Sequence, residues 1–551
     1  MRILDETKDR MAGFQTCDTA GAVLNTPRSA RGMVTTPHHL ASQSGLAELR
    51  AGGSAIEAVV AAAATLAVVY PHMSGLGGDG FWLLCEPGRD PVAICAAGRS
   101  GVGVDADLYR RKGFSAIPTR GPLAANTVAG AVDGWRAALE ISQSWGYPPD
   151  LHRLFRDAID YAEQGISVTR SQALLTLEGF AELAEVPGFA SLFLHAGACP
   201  AIGARLSNPA LARTFRRLAE AGLDDFYRGG VAADIAADLG RAGAPIGAGD
   251  LSAHRSEVCA SLRLDLPGVR LFNLPPPTQG LASLMILGLF SRLGVEQADG
   301  FTHVHGIVEA TKLAFGARDR HVGDPAQMTI DPAILLDPAA LDRAAACIDR
   351  GRARPWDPGA AGGDTVWLGA IDAAGRAVSY IQSLYFDFGS GLVLPETGIL
   401  WQNRGIAFTL DGRGPRALRP RALPFHTLNP ALAHFNDGRT MVYGAMGGDG
   451  QPQTQAAIFS RYAMFGQGLQ AAVSAPRWLL GRRWADEGAT LKLEDRFEPA
   501  LVTQLRGAGH EIELVEPFSD LMGHAGAIVR HADGTLEGAC DPRSDGAVSA
   551  W

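Results

Sequence analysis

The 551-residue sequence predicts an α/β protein whose structural character changes near residue 364. Before this point, apolar residues recur mostly at helical spacing, with a few short strands between the helices. After it, short apolar runs separated by turn residues predict mainly strands. A loop rich in Gly, Pro and Asp, "GRARPWDPGAAGGD", separates the two regions. Length alone would allow three or four domains, so this change of character is the main guide to organisation.

Helix signals are clearest in the first region. "ASQSGLAELRAGG" has helical periodicity and ends at Gly52 and Gly53. The alanine-rich run after it predicts a buried helix, capped by Ser54 and stopped at Pro71. Three further segments have amphipathic or long helical patterns: "LHRLFRDAIDYAEQG", "LARTFRRLAEAGLDDFYRGG" and "HVHGIVEATKLAFGARDRHV".

Strand signals mark four segments. "RLDLPGVRLFNLPPPTQG" predicts a strand pair followed by a proline-rich turn. "TVWLGAID-AAG-RAVSYIQSLYF" predicts an antiparallel hairpin with a turn that ends at Gly375, and "AGAIVRH-ADG-TLEGACD" predicts another. "TMVYGAMGG" predicts a strand that ends in a glycine turn.

The glycine loop in "SGLGGDGFW" follows a predicted helix and precedes a strand. A dinucleotide-binding loop has the opposite order, because the helix N-terminus must meet the pyrophosphate. We therefore expect a close approach of two backbones at these glycines and no nucleotide.

Composition excludes several classes of function. A net charge of -9, spread over the chain, gives no basic surface for nucleic acid or lipid headgroups. The seven cysteines are scattered and contain no CxxC pair, which argues against a disulfide framework and a zinc cluster. The charged N-terminal stretch "MRILDETKDRMAGFQTCDTAG" has no apolar core of a secretory signal, and the longest apolar run is short for a membrane span. These features predict a cytoplasmic protein.

Two polar patterns on the helix near residue 310 favour structural roles. His303 and His305 do not share a helix face, and no third ligand is evident nearby, so a metal site is not expected. Glu309 and Lys312 are three residues apart, which is typical of a solvated ion pair on a helix surface.

Thr365 has two interpretations, and the local sequence does not settle between them. Threonine favours strands, so Thr365 fits the first residue of a buried strand. Cleavage of the bond between Asp364 and Thr365 would instead give Thr365 a free α-amine. With a pKa near 8, that amine can take the proton from the Thr365 hydroxyl and activate it as a nucleophile.

Gly447 and Gly448 also have two interpretations. Successive glycine N–H groups in a turn can stabilise an oxyanion, because no side chain obstructs them. A plain turn between two elements fits the same pattern, and by themselves the residues favour it.

Several stretches, taken in order, resemble the γ-glutamyltransferase family. The resemblance begins with "RGMVTTPHHLASQSGLAELRAGGSAIEAVVAAAATLAVVYPHMSGLGGDGFWLL". It continues through "NLPPPTQG", "VEATKLAFGARDRHVGDP", "GGDTVWLGAIDAAGRAVSYIQSLYFDFGSGLVLPETGILWQN", "APRWL", "LKLED" and "GACDPRSDGAVSAW". The match runs from about residue 32 to residue 551, and the ordered set is far more specific than any single piece.

The resemblance implies an N-terminal-nucleophile hydrolase with a four-layer αββα sandwich, cut by itself between Asp364 and Thr365. Residues 1–364 would form a large subunit and residues 365–551 a small one, intertwined in one domain. No metal or organic cofactor is implied. The positions that match catalytic and substrate-binding residues of the family are Thr365 (nucleophile), Ser383 (hydroxyl beside it), Gly447 and Gly448 (oxyanion donors) and Asn403.

Departures from the family pattern bear on the substrate. Where γ-glutamyl enzymes hold the glutamate ammonium, this chain has Arg404 and Ala407 in place of an acid or amide and an aspartate. Tyr385 replaces an asparagine, and the arginine that grips the α-carboxylate falls on Ala97, with Arg99 two residues away. An ammonium group beside Arg404 would be repelled, whereas a carboxylate would suit a forked guanidinium.

These departures favour hydrolysis of a small anionic amide. The chain most resembles the branch of the family that includes oxamate amidohydrolase, which splits oxamate to oxalate and ammonia in purine breakdown. Arg404 or Arg99 would hold the substrate carboxylate, with His426 and Thr427 as further candidates. Three alternatives stay open: a γ-glutamyl hydrolase or transferase, an acylase for a glutaryl-type side chain, and an uncleaved, inactive binding protein. The expected partners are a small substrate and the two subunits of one precursor, without nucleic acid or membrane, and a higher homo-oligomer of the processed pair stays open.

Overall fold

The computed structural model describes residues 25–356, 364–481 and 490–551. The N-terminal segment discussed above and Gly362 and Gly363, which precede the nucleophile candidate, lie outside the described residues. In chain order the strands are β1 (Arg28–Ser29), β2 (Met33–Thr36), β3 (Asp79–Cys85), β4 (Val92–Ala96), β5 (Ile166–Ser167), β6 (Arg205–Leu206), β7 (Glu257–Ala260), β8 (Leu262–Leu266), β9 (Val269–Asn273), β10 (Asp364–Ile371), β11 (Ala377–Tyr385), β12 (Ala431–Phe435), β13 (Thr440–Ala445), β14 (Trp478–Leu480), β15 (Leu491–Glu494), β16 (Ile512–Val515), β17 (Ala525–Arg530), β18 (Leu536–Cys540) and β19 (Ala547–Ala550).

The helices lie mostly before residue 364, and the last three of those named here follow it. In chain order they are α1 (His39–Arg50), α2 (Ala55–Val69), α3 (Ala106–Arg111), α4 (Ala131–Ser144), α5 (Leu151–Leu154), α6 (Arg156–Gln164), α7 (Arg170–Leu183), α8 (Phe189–Phe193), α9 (Pro209–Ala221), α10 (Asp225–Arg228), α11 (Gly230–Ala242), α12 (Ala248–Ala253), α13 (Gly280–Phe290), α14 (Phe301–His321), α15 (Pro338–Ala345), α16 (Gly450–Phe459), α17 (Leu469–Ser474) and α18 (Pro499–Gly507).

Two large antiparallel sheets form the centre of the molecule. Sheet I has the order β19-β2-β10-β11-β3-β4-β7, and sheet II has the order β1-β18-β17-β13-β12-β9-β8. Each sheet contains strands from both sides of residue 364. Neither half of the chain therefore builds a complete sheet, which agrees with a single interleaved core.

Sheets I and II pack face to face around Trp367 of β10. This side chain points away from the helices and into the core between the sheets, next to Phe81, Leu432 and Ile528. Its indole ring occupies the space beside Gly444 and Gly526 of sheet II. A Cβ added to Gly444 would lie 2.2 Å from a ring atom, and a Cβ added to Gly526 would lie 2.5 Å from another. Glycine at both positions therefore lets the two sheets close around the ring.

Helices cover the outer face of each sheet. α2 is buried along its whole length and packs with α4 and α6 on sheet I. α13, α14 and α16 pack on sheet II. The order of layers is helix, sheet, sheet, helix, so the predicted αββα sandwich is confirmed.

The local sequence predictions are confirmed at the elements that support the site. Ser54 caps α2 in a capping box with Glu57, and the helix ends at Val69, before Pro71. β10 and β11 form the predicted hairpin. The loop before β3 is a close backbone approach, because a Cβ on Gly77 or Gly78 would lie 2.2 Å from a carbonyl oxygen.

One prediction about α14 is wrong, and the premise of another is incomplete. Glu309 and Lys312 are buried, not solvated, and the Lys312 ammonium lies 2.7 Å from both Glu309 and the Arg354 carbonyl oxygen. His305 does have candidate metal ligands nearby, because Glu309 and His510 lie within 4.8 Å of it. Glu309 follows His305 by one helical turn, but His510 is more than 200 residues away and reaches His305 only through the packing of α14 against α18, so the sequence did not reveal the group of three.

The predictions of unpaired cysteines and of no membrane span can be compared with the structure over the described residues. The cysteines at 85, 95, 199, 259, 347 and 540 are unpaired, as predicted, while Cys17 lies outside the described residues. Within those residues, none of the helices combines the length and the apolar composition that a membrane crossing requires.

Candidate active site

Thr365 is the second residue of β10, in the middle of sheet I, and only 1% of its surface is exposed. A bulge lies at this point: between the pairs Asp364–Tyr385 and Val366–Gln382, β10 contributes Thr365 alone, whereas β11 contributes Ser383 and one further residue. Bulges of this kind re-aim side chains next to active sites. The Thr365 hydroxyl makes no hydrogen bond with any described residue.

The packing of the sheets aligns β10 with β13. Position 369 of β10 faces Val442, and Trp367 faces Gly444, so the two strands run in opposite directions across the core. The same register, extended by two residues along both strands, would place Thr365 level with Met446, the residue before Gly447. Alternation of side chains along β10 would direct Thr365 to the same side as Trp367, between the sheets.

Gly447 and Gly448 connect β13 to α16 in a left-handed turn, with φ values of 114° and 52°. A side chain would be strained at either position. Neither amide donates a hydrogen bond to a described residue. The turn also lies at the N-terminus of α16, where the helix dipole favours negative charge. Both amides are therefore suitable oxyanion donors.

Two buried side chains, Gln279 and Arg318, hold this turn, and the sequence indicated neither of them as a site residue. The Gln279 amide donates to the Gly448 carbonyl at 2.8 Å and to the Thr427 carbonyl at 2.6 Å. Arg318 donates to Gln279 Oε1 at 2.8 Å and to Asp449 at 2.7 Å. "PPPTQG" and "GARDR", which carry Gln279 and Arg318, were recognised only as family landmarks, because the sequence does not reveal which turn they support.

Arg404 is buried next to this network and makes no ion pair with any described carboxylate. Its guanidinium donates to the Phe425 carbonyl at 3.1 Å and to Thr427 Oγ1 at 3.4 Å, and it stacks 3.4 Å above the Tyr385 ring. Loss of hydration on burial lowers the pKa of Arg404 to about 10. A buried cation without a counter-ion makes a strong binding site for an anion.

Tyr385 is held in a left-handed conformation, with φ of 83°, which is rare for a bulky residue. Its N–H donates to Ser383 Oγ at 2.7 Å. The Asn403 amide fixes the same turn, since it accepts from the Phe386 N–H at 3.2 Å and donates to the Thr119 carbonyl at 2.8 Å. Ser383 and Asn403 thus hold the Tyr385 ring under Arg404.

The structure brings the remaining candidates to different places. His426 is buried beside Arg404, between Phe425 and Thr427, with its Nε2 3.5 Å from Asp79. The Arg99 side chain is half-exposed and is paired with Glu257 at 3.3 Å. It lines a surface cavity of about 430 Å³, so of the two arginines only Arg404 presents a buried, unpaired guanidinium.

The structure thus contains a nucleophile candidate at the start of a central strand, a pair of turn amides suited to an oxyanion and a candidate anion site. Together with the αββα layers, these features define an N-terminal-nucleophile hydrolase. The family model described as gamma-glutamyltranspeptidase matches residues 41–551. The chain belongs to the gamma-glutamyltranspeptidase family.

The chain is similar to several members of known name. It is 55% identical to the oxamate amidohydrolase proenzyme of Klebsiella pneumoniae, covering 95% of this chain and 99% of that one. It is 41% identical to the glutathione hydrolase-like YwrD proenzyme of Bacillus subtilis, covering 94% and 98%. Among solved structures, a cephalosporin acylase from Bacillus halodurans is 31% identical with a TM-score of 0.89, covering 98% of this chain and 99% of that one.

Proposed function

We propose that this protein is a self-processing amidohydrolase that converts oxamate to oxalate and ammonia. The observation that carries the substrate class is the buried guanidinium of Arg404, which has no carboxylate partner among the described residues. The likeness to the Klebsiella oxamate amidohydrolase proenzyme supports oxamate within that class. The reaction would serve purine breakdown in the cytoplasm.

Maturation would cut the chain between Asp364 and Thr365. The large subunit, residues 1–364, and the small subunit, residues 365–551, would stay together because strands of both build each sheet. The cut gives Thr365 an α-amine next to its own hydroxyl. That amine supplies the base that a buried threonine otherwise lacks.

The mature enzyme would act in two half-reactions. The α-amine takes the proton from Thr365 Oγ, which attacks the amide carbonyl of the substrate. The N–H groups of Gly447 and Gly448 stabilise the oxyanion, where one such donor is worth about 3 kcal/mol. The amine then protonates the departing ammonia, and water hydrolyses the acyl-threonine by the same route. Arg404 holds the substrate carboxylate, and Ser383 Oγ holds the turn of Tyr385 beneath it.

The other family activities fit this site less well. A γ-glutamyl group carries an ammonium, and the position that should bind it holds the Arg404 cation, so binding would bring like charges together without water. A glutaryl-type side chain has the required carboxylate but places it several atoms further from its amide. Both remain as comparison substrates.

The first experiment is the intact mass of the purified protein, followed by ammonia release from oxamate. We expect fragments that correspond to residues 1–364 and 365–551, and oxamate turnover. The Thr365→Ala variant should remain a single chain of 57.9 kDa without activity. Thr365→Ser is the matched control, because it keeps a hydroxyl nucleophile and should still be cut.

The outcomes separate the alternatives. Faster turnover of γ-glutamyl-p-nitroanilide or of a glutaryl amide than of oxamate would contradict the proposed substrate while keeping the mechanism. An uncut wild-type chain without activity would refute the enzymatic function and favour a binding protein.

A further inference from the structure

Asp79 lies in the same row of residues as the nucleophile. It begins β3 directly opposite Ser383 of β11, and Thr365 flanks Ser383 from the other side. Asp79 Oδ1 accepts hydrogen bonds from the N–H groups of Gly98 and Gly130, both at 2.9 Å. Its second oxygen, Oδ2, makes no well-formed hydrogen bond with a described residue, although the side chain is completely buried. The Gln402 amide lies close enough to favour the ionised carboxyl, but it donates to the Val128 carbonyl at 2.8 Å.

The unpartnered oxygen of Asp79 faces an unpartnered imidazole. His426 Nε2 lies 3.5 Å from Asp79 Oδ2, and neither ring nitrogen of His426 makes a hydrogen bond with a described residue. Buried polar atoms are normally paired, so exceptions of this kind call for an explanation. Burial raises the pKa of Asp79 to about 7 and lowers that of His426 well below its usual range. Near neutral pH, the carboxyl can therefore gain or lose a proton while the imidazole stays neutral.

One charged group balances this pair in the free site. The Arg404 guanidinium favours the ionised form of Asp79, and Asp79 in turn favours the charged form of Arg404. The other titratable groups that Asp79 influences are protonated and neutral near pH 7, because burial raises the pKa of each: Cys95, Tyr227 and Tyr380. In the mature enzyme the Thr365 α-amine is a further titratable group at the same end of the sheet.

We propose that the Asp79–His426 pair takes up one proton from solvent when a carboxylate binds to Arg404. This inference rests on the proposed function in one respect, namely that Arg404 holds the substrate anion. Without substrate, the charges of Asp79 and Arg404 cancel. A bound carboxylate adds one buried negative charge, and a proton on Asp79 Oδ2, directed at His426 Nε2, cancels it again.

Proton uptake would make Asp79 a specificity-determining residue. An anion such as oxamate brings a net negative charge and is stabilised by the proton. The amino-acid headgroup of a γ-glutamyl compound is a zwitterion with no net charge, so it gains nothing from protonation of Asp79. The same pair would therefore favour simple anions over zwitterions, in addition to the repulsion between Arg404 and an ammonium group.

The test is calorimetric titration of the mature wild-type enzyme with oxalate, in two buffers of different ionisation enthalpy. Oxalate has two ionised carboxylates near neutral pH, and neither titrates there, so its own protons do not contribute. One carboxylate would pair with Arg404, and the other would lie where the amide of oxamate reacts, beside the Thr365 α-amine. We expect between roughly half and one proton taken up per oxalate bound at about pH 8, and almost none at about pH 5, where Asp79 is already protonated. Oxalate affinity should be constant in acid and fall by up to about tenfold per pH unit above about pH 7.

Two variants identify the group responsible. Asp79→Asn keeps an oxygen for the N–H groups of Gly98 and Gly130 but cannot take up a proton, so most of the wild-type uptake should disappear. Its oxalate affinity should stay flat between about pH 6 and 8, apart from titration of the Thr365 α-amine, which both proteins share. Asp372→Asn is the matched control. Asp372 is also buried and accepts backbone N–H bonds, from Ala55 among others, but it lies in the turn at the other end of the β10–β11 hairpin.

The inference is overturned if the wild type binds oxalate without proton uptake at about pH 8, binds none at any pH, or if Asp79→Asn keeps the wild-type uptake. The wild-type result decides alone if Asp79→Asn fails to mature. Proton-linked oxalate binding without oxamate turnover would keep this inference and refute the proposed reaction. Oxamate turnover together with oxalate binding that takes up no proton would keep the proposed reaction and refute this inference.

Discussion

Replacing Arg404 with methionine should move substrate affinity and stability in opposite directions. Methionine is close to arginine in length and removes the charge and the donors. In the free protein, Arg404 destabilises the fold, because its guanidinium is buried with one carbonyl, one hydroxyl and an aromatic ring as direct partners. It makes no direct ion pair with a described carboxylate, and Asp79 acts on it only at longer range. When a carboxylate is bound, the same guanidinium gains its ion pair.

The two magnitudes can be estimated from the structure. The fall in the pKa of Arg404 from 12.5 to about 10 corresponds to roughly 3 kcal/mol of lost solvation that folding must supply. Loss of the donor to the Phe425 carbonyl costs about 1 kcal/mol, and loss of the longer bond to Thr427 and of the cation–π contact with Tyr385 costs about 1 kcal/mol more. Arg404→Met should therefore raise the free energy of unfolding by about 1 kcal/mol. Loss of a charge-assisted pair with the substrate costs about 3 kcal/mol, which raises KM for oxamate on the order of a hundredfold.

The assays are thermal unfolding of the mature protein and the concentration dependence of ammonia release. Arg461→Met is the matched control: Arg461 is equally buried, but it is paired with Asp299 at 2.6 Å. That variant should be destabilised by at least about 1 kcal/mol and keep the wild-type KM. A stable Arg404→Met protein with unchanged KM would refute the assignment of Arg404 as the anion site. A strongly destabilised one would refute the claim that it is an unpaired charge.

Three further results are expected. Gly447→Ala should lower kcat by about a hundredfold with little change in KM, measured by ammonia release, because a side chain at φ of 114° displaces the oxyanion donor. Gln279→Leu should lower kcat by roughly tenfold, because the Gly448 carbonyl loses the hydrogen bond that holds the turn. Gln172→Leu is the control, since it alters a buried amide without a described partner, and an equal loss of kcat in that variant would contradict the prediction. Asp541, buried between two arginines with a pKa of about 2, should stabilise the fold by about 2 kcal/mol above about pH 4, and this contribution should disappear as the pH falls through 2. Acid unfolding monitored by circular dichroism should lose that component in Asp541→Asn, and an unchanged acid transition would contradict the assignment.

The sequence predicts the scaffold better than the site because scaffold signals are local. Ser54 and Pro71 bound their helix within a few residues of the apolar run, and the β10–β11 hairpin is contiguous in the chain. Site contacts join distant segments. The Thr427 carbonyl meets Gln279 across 148 residues, and Asp79 meets His426 across a still longer interval.

The spacing of charged residues gave a wrong or incomplete prediction at two places, because the segments that cover these residues are distant in the chain. Glu309 and Lys312 have the spacing of a surface pair, but the segment that ends at Trp356 covers them and uses their charges to hold its own backbone. Arg99 and Arg404 were equivalent as sequence candidates. Only tertiary packing shows that one is paired with Glu257 near the surface while the other is buried on the Tyr385 ring.

The interleaving of the two sheets has a consequence for how the protein is made. Strand β2 (residues 33–36) is flanked in sheet I by β10 and by β19, the strand at residues 547–550. More than 500 residues are synthesised between β2 and β19. Sheet I cannot be complete until that strand has left the ribosome. If the cut at Thr365 requires the finished sheet, a truncated chain stays uncut and inactive. Processing would then act as a checkpoint that releases activity only from full-length molecules.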